Sequence, residues 1–251
     1  MMKVIMKFAQ VVGLLVLVGG VIWLGYWGVT SLRVPKHHHS VETISPREEL
    51  NRESPIKLEP RAGSDIGFVY EAFLSPHQEG GEEEETPDFI PKAFHSSLPS
   101  VARKDRKSHG HSIISFTKDL SRAYVYLAVS NLDVENMNML HIHCGRPGQL
   151  GPILVDFALI GNIQNYLSDG VMKIEVKNED IVATANHGEG LIGAITAGCP
   201  IFPAIPNDKV KTIAGMEYIA RQGDLYFNIH TKAQTFFGDI RGQFYLAPNG
   251  K

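Results

Sequence analysis

The feature that most constrains the fold is a series of short segments rich in β-branched and aromatic residues, separated by turns that contain glycine and proline. Several segments alternate apolar and polar residues, as a strand with one buried face does. The eight segments are 68–74, 112–117, 122–130, 139–144, 152–158, 172–177, 225–231 and 240–247. Eight such strands predict an all-β sandwich or barrel.

One short helix is expected within the stretch 208–224. Val210, Ile213, Met216 and Ala220 form an apolar stripe at helical spacing, and Gly223 suits the residue that ends a helix. The stripe is interpreted as core packing.

The N-terminus carries an apolar run from Phe8 to Thr30 that contains no charged residue. This length suits a helix crossing a hydrocarbon core of about 30 Å, and Tyr26 and Trp27 suit the far interface. We interpret residues 1–30 as a signal anchor or transmembrane helix, with a cleaved signal peptide as the alternative. The rest of the chain then lies on the extracytoplasmic side of a membrane.

Residues 31–64 are rich in proline and charge and predict a juxtamembrane linker. The adjacent His37, His38 and His39 lie in it, but such neighbours in a linker do not define a closed ligand shell. A single domain is expected over 65–251, with a long charged loop at 79–110. Opposite charges occupy the two arms of this loop, so its basic run 103–107 is expected to fold back on its acidic run 79–85.

Composition excludes some classes of function. The formal net charge is only −3, and no basic stripe with interleaved aromatic residues predicts nucleic-acid binding. The sequence also lacks a phosphate-binding loop, a nucleophile elbow and a dinucleotide fingerprint. No catalysis is therefore predicted, and no cofactor is expected from these motifs.

The stretch MLHIHC, residues 139–144, carries the strongest candidate site. In a strand, Leu140, Ile142 and Cys144 share one face, and His141 and His143 share the other. By the same alternation, His230 lies on the face of its strand opposite to Phe227 and Ile229. If the two strands pair, three imidazoles converge and suit copper or zinc. The alternative is a structural network of hydrogen bonds.

Cys144 and Cys199 are the two cysteines of the chain. In an extracytoplasmic domain they are candidates for a disulfide. Two buried thiols, or a metal-ligand role for Cys144, are the alternatives, because spacing alone does not establish proximity.

Several motifs together resemble the CHRD domain, the module first described in chordin and also found in bacterial proteins. The first motif is His141-x-His143-x-Gly145, followed by a glycine–proline turn at 151–152. Later in the chain come Asn228-x-His230-Thr231 and the run Gly238, Ile240, Arg241, Gly242 and Gln243. FVYEAFLSPHQEGG is similar to the family's opening strand, so the resemblance covers about residues 66–247.

This resemblance implies an immunoglobulin-like antiparallel β-sandwich on extracytoplasmic proteins, without an established catalytic activity. The chemistry of the motif residues agrees with a structural role: Asp239 and Arg241 can pair or anchor a turn, and Gln243 can satisfy edge groups with its amide, with ligand binding by Arg241 as the alternative. Two hypotheses follow. The first is a membrane-tethered module that binds a protein or envelope partner, or has a structural role. The second is a metalloprotein that holds copper or zinc at His141, His143 and His230; its paired histidines are similar to those of the copper–zinc superoxide dismutase sandwich, without that enzyme's remaining ligands.

Overall fold

The computed structural model describes residues 60–188, 196–202 and 205–248. All of the elements below belong to one unit of the chain, Leu58–Lys251. The predicted transmembrane run Phe8–Thr30 and most of the predicted linker lie outside the described residues. None of the described helices is long and apolar enough to cross a membrane.

Strands dominate the described part of the chain. In chain order, β1 to β11 are Ile66–Leu74, His109–Thr117, Ala123–Ser130, Met137–Cys144, Ile153–Asp156, Val171–Val176, Pro200–Phe202, Ile205–Lys209, Leu225–Thr231, Ile240–Gln243 and Tyr245–Leu246. The short helices α1 to α3 are Ile163–Tyr166, Asn178–His187 and Ile213–Arg221.

Two antiparallel sheets enclose the core. One has the strand order β11-β1-β2-β3-β6 and the other has the order β10-β9-β4-β5, while β7 and β8 form a separate hairpin. Side chains of both sheets join one buried apolar cluster, in which Ile114 and Leu127 of the first sheet accompany Leu140 and Phe227 of the second. The all-β prediction is confirmed.

The all-β class does not specify the order of the strands within the two sheets. Constant-type immunoglobulin domains distribute their strands as ABED and CFG, whereas β1, β2 and β3 lie side by side here in one sheet. The two sheets approach each other at one edge, where Ser75, after β1, forms a bridge with Arg241 of β10. The segment predicted as one strand over 240–247 crosses at this edge, so β10 and β11 belong to different sheets.

The predicted helix is present as α3, and its stripe is buried at Ile213, Met216 and Ala220. The expectation of a single helix was wrong for the described chain, because α1 and α2 are also present. Helix α2 has little apolar periodicity and buries only Ile181, Thr184 and Ala185. Its short buried stripe explains why the sequence pattern did not reveal it.

Residues between β1 and β2 form the charged loop. Glu82 contacts Arg103 and Arg106, with nitrogen–oxygen distances of 3.8 and 3.5 Å, as expected for a basic arm folding back on an acidic one. Glu83 is buried, contrary to what a fully solvated acidic run would show. Its carboxylate accepts hydrogen bonds from the backbone N–H groups of Phe236 and Phe237. The loop is therefore fastened to the segment that follows β9.

Candidate functional site

The candidate site lies on the face of the β10-β9-β4-β5 sheet that is turned away from the apolar core. Strand β4 pairs with β9 so that His141 is opposite Asn228 and His143 is opposite Tyr226. Leu140 and Ile142 point into the core, as their alternation predicts. The pairing of these two strands, which the sequence left open, brings His230 next to the two histidines of β4.

His141, His143 and His230 form one buried cluster. One ring nitrogen from each lies within 4.8 Å of the corresponding nitrogens of the other two. The ring centroids are 5.2 Å apart for His141 and His143, 5.6 Å for His141 and His230, and 6.2 Å for His143 and His230. The convergence required by the metal hypothesis is present.

Each imidazole uses its other nitrogen for a contact with the surrounding protein. His143 Nδ1 lies 2.9 Å from the carbonyl oxygen of Gly151, and His230 Nδ1 lies 2.9 Å from that of Thr235. His141 Nε2 lies 3.5 Å from Asp156 Oδ1. Because these oxygens accept, each of these nitrogens carries the proton in the neutral ring.

The tautomers that these contacts assign leave three nitrogen lone pairs: Nδ1 of His141 and Nε2 of His143 and His230. These three atoms are buried and have no hydrogen-bond partner among the described residues. They are also the atoms available to converge on one point. Metal-binding histidines commonly donate their second ring N–H to a carboxylate or backbone carbonyl in this way.

Two of the three histidines, His143 and His230, have lowered pKa values and stay unprotonated at neutral pH. Burial, followed by the charges of His141 and His230, holds the pKa of His143 well below its ordinary value. Burial and the charge of His141 lower the pKa of His230 to about 3. Burial acts to raise the pKa of Asp156, but the hydrogen bond and charge of His141 hold that pKa below its ordinary value. Neutral imidazole is the form that binds a metal ion.

Tyr226 supports His143 in two ways. Its ring stacks on the imidazole with a centroid distance of 4.9 Å and an interplanar angle of 3°. Its hydroxyl oxygen accepts a hydrogen bond of 3.0 Å from the N–H of Gly151, the residue whose carbonyl fixes His143. A Cβ at Gly151 would overlap the carbonyl oxygen of Cys144, so glycine is required for this close approach.

Arg241 lies on Tyr226 and holds the loop that leads to Gly151. Its guanidinium carbon is 3.5 Å from the centroid of the Tyr226 ring. Its nitrogens donate to the carbonyl oxygens of Gln149 at 2.7 Å and Arg146 at 2.8 Å. Arg241 is 1% exposed, so this cation lies inside the protein and is held by backbone carbonyl oxygens and an aromatic ring.

Two further motif residues, Gln243 and Asn228, also donate hydrogen bonds to backbone carbonyl oxygens. The Gln243 amide donates to the carbonyl oxygens of Gly145 at 2.9 Å and Gly223 at 2.7 Å. Asn228 donates to the carbonyl oxygen of Phe237 at 2.9 Å. These contacts fix the strand ends from which the histidines project.

The sequence suggested that Asp239 either pairs with Arg241 or anchors a turn, and its carboxylate has partners other than the Arg241 side chain. Its carboxylate accepts from the hydroxyls of Ser108 and Thr231. Its carbonyl oxygen accepts from Arg106 at 2.8 Å. Gly238 precedes it with φ +109°, a backbone conformation that residues other than glycine rarely adopt.

Glu79 is a buried acidic residue beside this network. Burial raises the pKa of Glu79 well above its ordinary value, against the opposing charges of Arg241 and Arg106. Neither of its carboxyl oxygens has a hydrogen-bond partner among the described residues. The carboxylate that contacts the histidine cluster is that of Asp156, through His141, and not that of Glu79.

Cys144 and Cys199 form a disulfide with a Cα–Cα distance of 6.1 Å. Cys144 directly follows His143, so the bridge ties the end of β4 to the segment 196–199. The disulfide uses both sulfurs, and the metal-ligand role considered for Cys144 is therefore wrong.

A cavity of about 150 Å³ opens over the histidines. Its lining is largely apolar and includes Phe94 from the charged loop, Met139 from β4, Leu150, Ile153 and Phe236. Sequence reasoning missed Met139, Asp156 and Tyr226 as site residues. Alternation places Met139 on the face of His141 and Tyr226 on the face of His230, which was a usable signal, whereas Asp156 is revealed only by strand pairing.

A model of the CHRD domain matches residues 94–244. The chain belongs to the CHRD domain family. The match includes β4, β9 and β10, and with them the clustered His141, His143 and His230 of this CHRD domain and the residues that hold them. Neither the search of curated proteins nor the search of solved structures gave a match.

Proposed function

We propose that this CHRD domain binds one transition-metal ion, copper or zinc, at His141, His143 and His230. The observation that carries the proposal is that one ring nitrogen from each of three buried histidines lies within 4.8 Å of the other two, and that each ring also has a buried nitrogen without a hydrogen-bond partner among the described residues. Imidazole nitrogen is a ligand that both copper and zinc accept.

The contacts favour a metal site over a purely structural network. In a structural network, both nitrogens of a buried histidine find polar partners, because a buried polar atom without one costs about 1 to 3 kcal/mol. Here each ring has a partner at one nitrogen only, and its other nitrogen is buried without a hydrogen-bond partner among the described residues. A bound cation would satisfy the three nitrogens together.

The proposed site has three protein ligands and faces a cavity. Sites of this kind leave a coordination position for water or a small ligand. The cavity of about 150 Å³ over the histidines gives such a ligand room. The proposal is the binding of the ion, and it includes no catalysed reaction.

Elemental analysis of the full chain tests this proposal. His37, His38 and His39 are first replaced by alanine, since three adjacent histidines chelate metal loosely, and the protein is dialysed against a weak chelator after loading with Cu²⁺ or Zn²⁺. We expect about one equivalent of metal per chain. The added substitution His143→Ala removes it, and His77→Ala, at an exposed histidine, retains it. A parent chain without metal, or metal retained by His143→Ala, overturns the proposal.

We further propose that the domain is tethered to a membrane on its extracytoplasmic side, where it acts as a binding or structural module for a protein or envelope partner. The apolar run Phe8–Thr30 supports the tether. The Cys144–Cys199 disulfide supports an oxidising compartment. We also propose that the β-sandwich is immunoglobulin-like. We expect the protein to resist extraction from membranes by alkaline carbonate, and its domain to be digested by protease added from outside. Release by carbonate contradicts the tether.

A further inference from the structure

The identity of the ion can be inferred from a fourth residue of the proposed three-histidine site, and this inference rests on that site. Met139 precedes His141 by two residues on β4, so the alternation of the strand places both side chains on one face. In the pairing of β4 with β9, Met139 is directly opposite His230. Residues paired in this way have Cβ atoms about 4.5 to 5.5 Å apart. Met139 therefore neighbours two of the three histidines.

Met139 also lines the cavity over the histidines. It is half-buried, whereas Met137 on the same strand is 1% exposed and belongs to the apolar core. The two methionines of β4 thus have different environments. One fills the core, and the other lies at the mouth of the proposed metal site.

The other described side chains of the cavity offer no competing ligand of comparable softness. Phe94, Phe236 and Leu150 present only carbon atoms. The Tyr226 hydroxyl accepts from Gly151, and the Thr235 hydroxyl donates to the carbonyl oxygen of Thr231. The Met139 thioether is the sulfur donor that remains, since both cysteine sulfurs are in the disulfide.

The charges around the cluster favour a monovalent ion. Three neutral imidazoles and a thioether bring no negative charge, and the desolvation cost of a buried ion rises steeply with its charge. Asp156 places one negative charge behind His141, but Arg241 places one positive charge behind Tyr226, which stacks on His143. A thioether is a soft ligand that suits Cu(I), whereas zinc sites use thiolate, imidazole and carboxylate.

We propose that the site prefers Cu(I) to zinc, with Met139 supplying a fourth, thioether ligand to the three histidines. The four ligands have two different roles. The histidines hold any suitable transition metal, and Met139 makes the site prefer cuprous copper over zinc.

The test compares Met139→Leu with Met137→Leu, because leucine conserves volume and removes only the sulfur. Both are made in the full chain that lacks the histidines at 37–39. Cu(I) affinity is measured anaerobically with ascorbate and a colorimetric Cu(I) chelator, and Zn²⁺ affinity is measured with a chelating dye. We expect Met139→Leu to lower Cu(I) affinity by about tenfold or more, which is the scale of losses at metal-site neighbours, and to leave Zn²⁺ affinity nearly unchanged. Met137→Leu is expected to change neither affinity.

X-ray absorption at the copper edge gives an independent readout. A sulfur scatterer is expected in the parent chain and in Met137→Leu, and only nitrogen or oxygen scatterers are expected in Met139→Leu. An unchanged Cu(I) affinity in Met139→Leu, with copper still lost in His143→Ala, overturns the role of Met139 alone. A parent chain that binds neither ion overturns the three-histidine site, and this inference with it.

Discussion

The ring of Tyr226 lies flat against the imidazole of His143, and its hydroxyl accepts a hydrogen bond from the residue whose carbonyl holds that imidazole. The Tyr226 side chain thus fixes the plane of the His143 ring by stacking and, through Gly151, helps to fix its tautomer. Arg241 lies on Tyr226 and binds the same loop. The family motif at 238–243 therefore acts on the histidine motif at 141–145 through Tyr226.

Replacement of Tyr226 by phenylalanine keeps the stacked ring and removes the hydroxyl. The N–H of Gly151 loses its partner, so we expect the free energy of unfolding to fall by about 1 to 3 kcal/mol. Because His143 is then held less firmly, metal affinity is expected to fall by about tenfold. Chemical denaturation and metal titration measure the two effects. Tyr218→Phe, at an exposed tyrosine of α3, is the control, and equal behaviour of the two variants contradicts the prediction.

Substitution of Arg241 by lysine keeps a charge but loses the planar group that reaches two carbonyl oxygens while lying on Tyr226. At least one of these two carbonyl oxygens is left without its donor. We expect the free energy of unfolding to fall by roughly 2 to 4 kcal/mol, measured by urea denaturation. Arg146→Lys is the matched control, because the Arg146 side chain is 74% exposed. A loss below that of the control variant would show that Arg241 is not an anchor.

Removal of the disulfide by the double substitution Cys144→Ala and Cys199→Ala opens a loop with a sequence separation of 55. In the chain-entropy model, such a crosslink stabilises the folded state by about 4 kcal/mol. We expect the double variant to lose about that much free energy of unfolding, measured by denaturation without reductant. Added dithiothreitol should destabilise the parent chain and leave the double variant unaffected. Insensitivity of the parent chain to reductant would argue against this contribution.

Acid is expected to destabilise the metal-free domain through the buried histidines. His230 has a pKa of about 3 in the folded protein, and a histidine in an unfolded chain has a pKa of about 6.5. Between these values the unfolded state binds the proton and the folded state does not. The contribution of neutral His230 to the free energy of unfolding is therefore fully present above a pH of about 6.5. It is lost as the pH falls, by about 1.4 kcal/mol per pH unit at most. The pKa of His143, which is also lowered, acts in the same direction.

Denaturation at several pH values in the presence of a chelator measures this dependence. Between about pH 6 and pH 5, the free energy of unfolding of the parent chain should fall more steeply than that of His230→Gln, by about 1 kcal/mol per pH unit. His77→Ala, at an exposed position, should keep the parent slope. Equal slopes for the parent chain and His230→Gln would mean that His230 does not stay neutral in the folded protein.

The alternation of apolar and polar residues was sufficient to predict the core residues of strands such as β4 and β9, which have one face in the core. The predicted segment 225–231 coincides with β9, and the alternation around Ile142 and Phe227 assigned the correct residues to the core. The same pattern failed where the backbone changes sheet. Nothing in 240–247 marks the residue at which β10 ends and β11 begins, because both parts suit a strand and only the approach of the two sheets separates them.

The sequence by itself determined the all-β class, the family resemblance and the face of each strand on which the histidines lie, because side-chain direction in a strand follows from a period of two. Tertiary structure alone decided that β4 lies beside β9, that Tyr226 and Asp156 flank the histidines, and that Cys144 meets Cys199. These are contacts between residues far apart in the chain. They depend on strand pairing and loop closure, which the order of residues within one segment does not specify.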